Sequence, residues 1–368
     1  MYKKILKTAA VLLLLLLLGA GAWAADYFLI PKAEQTGVAP PLILPEAVSA
    51  SQTDGSSPDG SAASADASSP AGDASQTDGS SPAGDASQTD GSDRFPIMAD
   101  HFPEEAVDQP VQAGEARTDD PEGTTVIGAS DGDYKIVVTK TVTGSGDDRL
   151  TYYVADILVP DARMLKSCFA QDTYGENIYE TTDSMAKRCQ AVLAVNGDFY
   201  GWRSDGIIIR NGSLFRDVPA RRGAAIYEDG YLRCFDESST SGEALLEEQV
   251  WSTFSFGPEL VQDGQVVDGL DEDYAVDLLA IQHKQPRTVI GQIARNHFVL
   301  VVVDGRQAGY SRGIRMTELA SLMQELGCTE AYNLDGGASS TMYFKGEIVN
   351  HPCSGDGDRN VSDCIFLN

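Results

Sequence analysis

The chain reads as an α+β protein: a strand-rich single domain with a mixed sheet and few helices, set behind an N-terminal membrane segment and a disordered linker. Three observations carry this. Short apolar runs broken by Asn-Gly and Asp-Gly pairs recur through the last two thirds of the chain, the signature of successive hairpins. One segment, 317–326, has clear helical periodicity. Residues 33–123 lose the aromatic and β-branched content that a core requires.

In chain order, residues 1–32 begin with Lys3, Lys4 and Lys7, followed by an apolar run that includes seven consecutive leucines, Leu12 to Leu18. A positive flank before an apolar run marks an export signal. Ala22, Trp23 and Ala24 offer a cleavage site, but the run is nearly long enough to stay as a membrane anchor, and a retained single-pass anchor with an extracellular C-terminal domain is the expectation. Residues 33–123 are rich in Ser, Ala, Gly, Pro and Asp, with ASQTDGS at Ala50, Ala74 and Ala86. Such a segment cannot offset its chain entropy by burial. It reads as a linker whose root-mean-square span is roughly 50 Å.

Residues 124–368 form the expected domain. Segments 134–143 and 150–158 alternate around GSGDD as a hairpin. A short helix at 182–189 precedes AVLAVNGDFYGW, an apolar strand ending in Asn196, Gly197 and Asp198. Two further hairpins follow at 207–216 and 224–235, and a third after Pro258 (ELVQDGQVV). The apolar run 297–303 delivers Asp304, Gly305 and Arg306. The helix comes next, with Thr317 as its cap, Leu319, Leu322, Met323 and Leu326 as its stripe and Gly327 as its stop. Residues 331–344, AYNLDGGASSTMYF, close the pattern as strand, glycine turn and strand, with Asn333, Asp335, Ser339, Ser340 and Thr341 crowded into the turn. A strand–helix–strand unit tends to give parallel strands with their C-terminal ends on one sheet edge, so Asp304 and Asp335 are expected as near neighbours.

The net charge is −28, and both linker and domain are acidic, which excludes a nucleic-acid partner that needs a basic face. None of the six cysteines forms a CxxC motif; Cys353 and Cys364, flanking a Gly/Asp-rich loop, are one candidate disulfide. The four histidines show no zinc spacing. No cofactor is expected, with Ca²⁺ or Mg²⁺ as the only one that the clustered carboxylates leave open.

The order AVNGDFYGW, SFGPELVQDG, PRTVIGQ, VVVDGR, MTELASLMQELG and NLDGGASSTM resembles the phosphodiester glycosidase family over about residues 125–368. The resemblance implies an enzyme that hydrolyses sugar 1-phosphodiesters, with a carbohydrate phosphodiester as partner, here in cell-surface or extracellular glycopolymers. Its leaving group is already a stable phosphate monoester, so little general-acid help is needed. The chemistry asks for a grip on the phosphate, stabilisation of an oxocarbenium-like transition state, and a base or nucleophile. Asp335 is the first candidate for the last role, with Asp304 as partner or as holder of the turn.

Arg287 is the first candidate for the phosphate, because a guanidinium can grip two oxygens; Arg306 and Arg359 follow. Asn196 and Asn333 are read as amide contacts to sugar hydroxyls or as caps of their own turns. Gly336 and Gly337 would present backbone N–H groups to phosphate, and Ser339 stands among the substrate contacts. The chain departs from the family pattern at Asp198, Ala338 and Asn360, and Asp198 takes no family role. A catalytically silent glycan-binding module displayed on a stalk is the alternative reading.

Overall fold

The computed structural model describes residues 32–33, 121–270, 283–355 and 357–368. The expected membrane segment and nearly all of the linker lie outside these residues. Among the described residues, no helix is long and apolar enough to cross a membrane.

The run HFVLVVV shows how the layers arise. Successive side chains of a strand point to opposite faces, and here both faces are apolar. Phe298, Leu300 and Val302 enter one core, and Val299, Val301 and Val303 enter another. The strand His297–Val303 therefore lies inside a sheet covered on both sides.

That sheet has eight strands, in the order Gln265–Val266, Glu259–Gln262, Glu330–Asn333, Arg287–Ala294, His297–Val303, Leu150–Leu158, Lys135–Thr143 and Gly123–Asp131. One face packs the helix Met316–Glu325 through Leu319, Ala320 and Met323. The other faces a five-stranded sheet, ordered Glu347–Ile348, Met342–Phe344, Leu193–Asn196, Asp363–Leu367 and Lys166–Phe169, and a three-stranded sheet around Arg222–Tyr227. Tyr153, Tyr332, Val195, Ile365 and Phe254 fill the space between them. A helix at Thr182–Arg188 covers the outer side of the five-stranded sheet with Met185 and Ala186. The α+β class holds.

The mixed sheet does not. All described strand pairs are antiparallel. The strands leading to Asp304 and Asp335 do run parallel to one another, but Arg287–Ala294 is inserted between them and pairs antiparallel with both. Periodicity fixes which residues face the core and leaves open which strand sits between two others. The insertion matters for the site: Arg287 opposes Val303, and Val289 opposes Asn333, so the N-terminal end of the middle strand shares an edge with the C-terminal ends of its neighbours. The hairpins form as the sequence predicts. The helix starts at Met316, with the Glu318 carboxylate accepting the Arg315 N–H at 3.1 Å, so Thr317 lies inside it rather than capping it. Gly327, at φ +83°, stops it.

Candidate functional site

At the shared edge two polar turns, 196–198 and 335–337, are stitched together. Asn196 is fully buried. Its Nδ2 donates to the Asp335 carbonyl at 2.7 Å, and its Oδ1 accepts from Thr288 Oγ1 at 2.7 Å and from the Thr341 N–H at 3.2 Å. The Asp335 N–H donates back to the Gly197 carbonyl at 3.3 Å. Asn196 is thus a clasp between the turns, its amide already used within the protein. Asn333, also buried, donates to the Gly257 carbonyl at 2.8 Å and supports the loop that carries Phe256.

Beneath the first turn lies a buried ion triad. The Arg210 guanidinium lies 2.8 Å from Asp363 Oδ2 and 3.0 Å from Asp198 Oδ2, and all three side chains are 0–1 % exposed. Asp198 also accepts N–H groups from Tyr200 and Ser255, both at 3.0 Å. Asp198 therefore holds the floor in place. Burial drives the Asp363 carboxyl up to about 7, against the pull of Arg210 and with the push of Asp198. Asp363 packs directly against Gly197, where a Cβ would overlap its carboxylate; the close approach explains the glycine.

Asp335 sits above this floor, half-buried. Desolvation by the surrounding protein raises its carboxyl to about 6, while the Ser339 hydroxyl, the charges of Arg359 and Arg203 and the Gly336 N–H act the other way. Ser339 is thus placed as the partner of Asp335. The Gly336 N–H donates to the Asp335 side chain at 2.8 Å. Asp304 is placed differently. It is 1 % exposed, with Oδ1 accepting from Asn350 and Oδ2 from Tyr310 and the His351 N–H, at 2.8, 2.8 and 3.0 Å. Burial raises it to about 6 as well, but its acceptor positions are occupied, as suits a holder of the turn.

Two arginines flank the glycine turn. A Cβ on Gly336 would lie 3.8 Å from the Arg287 Cδ, and one on Gly337 would lie 3.0 Å from the Arg306 Nη2. Burial, and then the positive charge of Arg306, lower the Arg287 guanidinium to about 10. Arg306 is exposed, adopts φ +61°, and donates to Gln285 at 2.5 Å. Two like charges are therefore held close together beside Asp335, an arrangement that an anion would relieve.

The two arginines whose charges act on Asp335, Arg359 and Arg203, lie over a cluster of aromatic rings. Trp202 stacks on Tyr179 and Phe199, at centroid distances of 4.5 and 5.5 Å, and Phe256 meets Phe199 edge-on at 6.4 Å. Arg359 lies over Trp202 at 5.9 Å, and Arg203 lies over Phe256 at 5.2 Å and Phe199 at 5.6 Å. Burial, and then Arg221, lower the Arg203 guanidinium, and its Nη1 has no hydrogen-bond partner among the described residues. A separate cavity of about 450 Å³, lined by Gln307, Ile348, Asn350, His351, Pro352 and Cys353 among others, lies beside the anchors of Asp304. Asp335 and the arginines around it are absent from its lining, so the chemistry is assigned by side-chain geometry and not by cavity size.

The structure thus brings Asp335, Ser339, Gly336, Gly337, Arg287, Arg306 and Arg359 together and sets Asn196, Asn333 and Asp304 behind them as supports. The sequence reading missed Arg203, Arg210 and Asp363. Arg210 ends the apolar run GIIIR, and Asp363 opens DCIFL. A charge inside an otherwise buried strand was the signal available.

Residues 190–368 match the phosphodiester glycosidase family. A Bacillus subtilis protein, SPbeta prophage-derived uncharacterized protein YomE, is 31 % identical over 203 residues, 53 % of this chain and 30 % of its own length. The Bos taurus N-acetylglucosamine-1-phosphodiester alpha-N-acetylglucosaminidase is 35 % identical over 66 residues, 18 % of this chain and 12 % of its own. The chain thus spans less than a third of the length of either curated relative. The zebrafish N-acetylglucosamine-1-phosphodiester alpha-N-acetylglucosaminidase catalytic domain, solved auto-inhibited by its pro-peptide, superposes with a TM-score of 0.53 at 19 % identity, covering 67 % of this chain and 87 % of that one, a likeness of fold. Residues 190–368 therefore carry a domain of the phosphodiester glycosidase family.

Proposed function

We propose that this domain hydrolyses sugar 1-phosphodiesters of cell-surface or extracellular glycopolymers, outside the cytoplasmic membrane. The observation that carries the reading is Asp335: a half-buried residue whose carboxyl is raised to about 6, acted on by the charges of Arg359 and Arg203 and followed by a glycine turn that Arg287 and Arg306 flank. Arg287 and Arg306 take the phosphate oxygens and neutralise the charge that gathers on the phosphate as the C1–O bond breaks. The half-buried stack of Tyr179, Trp202 and Phe199 offers apolar contact to the sugar. Asp335, ionised above about pH 6, acts at C1, either directly or by deprotonating water. The Ser339 hydroxyl and the Gly336 N–H steady its carboxylate. The family match and the bovine relative support the reaction class; the lysine-flanked leucine run supports the location.

The test is a panel of sugar 1-phosphodiesters offered to the full chain, with release of free sugar as the readout. Turnover of at least one, and failure to cleave the matching neutral glycoside, is the expected result. A folded protein that binds these compounds and cleaves none is the silent glycan-binding module instead.

A further inference from the structure

A cluster of three thiols lies apart from this site, on the far side of the five-stranded sheet. Cys168, on the strand Lys166–Phe169, faces Cys364 across the ladder. Cys189 caps the C-terminal end of the helix Thr182–Arg188, and its Sγ lies 2.9 Å from the Cys168 Sγ. That separation is longer than a bond, yet closer than two unbonded sulfurs sit. Cys364 is fully buried, Cys168 nearly so, and Cys189 is partly exposed. The Arg188 guanidinium reaches the same corner, donating to the Phe169 carbonyl at 2.9 Å.

We infer that Cys168 and Cys189 are a disulfide-forming pair, which closes on exposure to a small-molecule disulfide and ties the helix end to the neighbouring strand. Cys189, the accessible sulfur, exchanges first: its thiol, raised by the contact with Cys168, passes its proton to Cys168 as the sulfur attacks the small disulfide RSSR, giving a mixed disulfide and RS⁻, which takes that proton on as RSH. Cys168 then attacks the Cys189 sulfur and expels the second RSH. Two protein thiols are oxidised, one small disulfide is reduced to two thiols, and both protons leave on the released thiols. Hydrogen bonds from Cys189 and Cys364, and the positive charge of Arg188, hold the Cys168 thiol below its ordinary range, which suits the resolving role.

The link has a structural consequence. The closed loop contains Tyr179 of the aromatic stack. The strand after Cys189 ends at Asn196, which clasps the Asp335 turn.

Trypsin separates the three cysteines into peptides 167–187, 189–203 and 360–368. The full chain is treated with oxidised glutathione, alkylated, digested and mapped by mass spectrometry. The expected result is a reductant-sensitive link between the first two peptides, formed nearly to completion. It persists in Cys364→Ser, vanishes in Cys189→Ser, and leaves Cys234, Cys328 and Cys353 alkylated. Three alkylated thiols, glutathione retained on Cys189, or a Cys168–Cys364 link in the wild-type chain would each overturn the assignment.

Discussion

Replacing Arg210 by Met keeps most of the side-chain volume beside Tyr200 and Phe254 but strips the counter-charge from two carboxylates that are 0 % exposed. Breaking a buried ion cluster in this way costs about 3–5 kcal/mol, because the remaining charges are desolvated and uncompensated. The structure adds a sign to this. Asp363 titrates at about 7 even with Arg210 in place. A carboxyl raised in the folded state contributes stability that is fully present below its unfolded value of 3.8 and is lost as pH rises through the folded value. Arg210 opposes that rise, so its removal moves the loss to higher pH and steepens it. Urea denaturation of wild type and Arg210→Met should show a deficit of about 3–5 kcal/mol near pH 8 that shrinks toward about pH 5, where a protonated Asp363 needs no partner. A deficit under about 1 kcal/mol near pH 8, or one that does not change with pH, would refute the triad as the support of this floor.

The remaining predictions concern the turns and the arginines. Arg287→Ala and Arg306→Ala should each lower kcat/KM for a sugar 1-phosphodiester by about 10²–10³-fold, and equal activity in steady-state assays of both variants would remove them from the phosphate. The wild-type kcat/KM profile should rise with pH through about 6 as Asp335 ionises; a profile flat across that range would separate Asp335 from the chemistry. Gly197→Ala should lower stability by about 1–3 kcal/mol, because the new methyl meets the Asp363 carboxylate, and a variant that melts with wild type would contradict that contact.

Much of this was legible in the sequence. Asn-Gly and Asp-Gly pairs placed the hairpins, because few residues other than glycine tolerate their backbone angles. The stripe Leu319, Leu322, Met323 and Leu326 placed the helix against its sheet. Asp335 stood out because polar groups crowded into a glycine turn have little reason to be there for packing alone, and Arg287 because a guanidinium suits the phosphate that the family resemblance implies. Two things were hidden. Strand order depends on long-range pairing, so the Arg287 strand between those ending at Asp304 and Asp335 had no local signature. Burial is a tertiary property as well. Asp304 and Asp335 follow similar apolar strands into Asp-Gly turns, yet the first is enclosed by Asn350, Tyr310 and His351 while the second is half-buried. Cys364 lies opposite Cys168, not bridged to Cys353, because the last strand enters the five-stranded sheet beside Lys166–Phe169.

The most direct test compares wild type with Asp335→Asn on an α-N-acetylglucosamine 1-phosphodiester, measuring released sugar with folding checked in parallel. The account predicts wild-type turnover and a fall of about 10²–10⁴-fold in a variant that remains folded. A folded Asp335→Asn protein that turns over at the wild-type rate would contradict it.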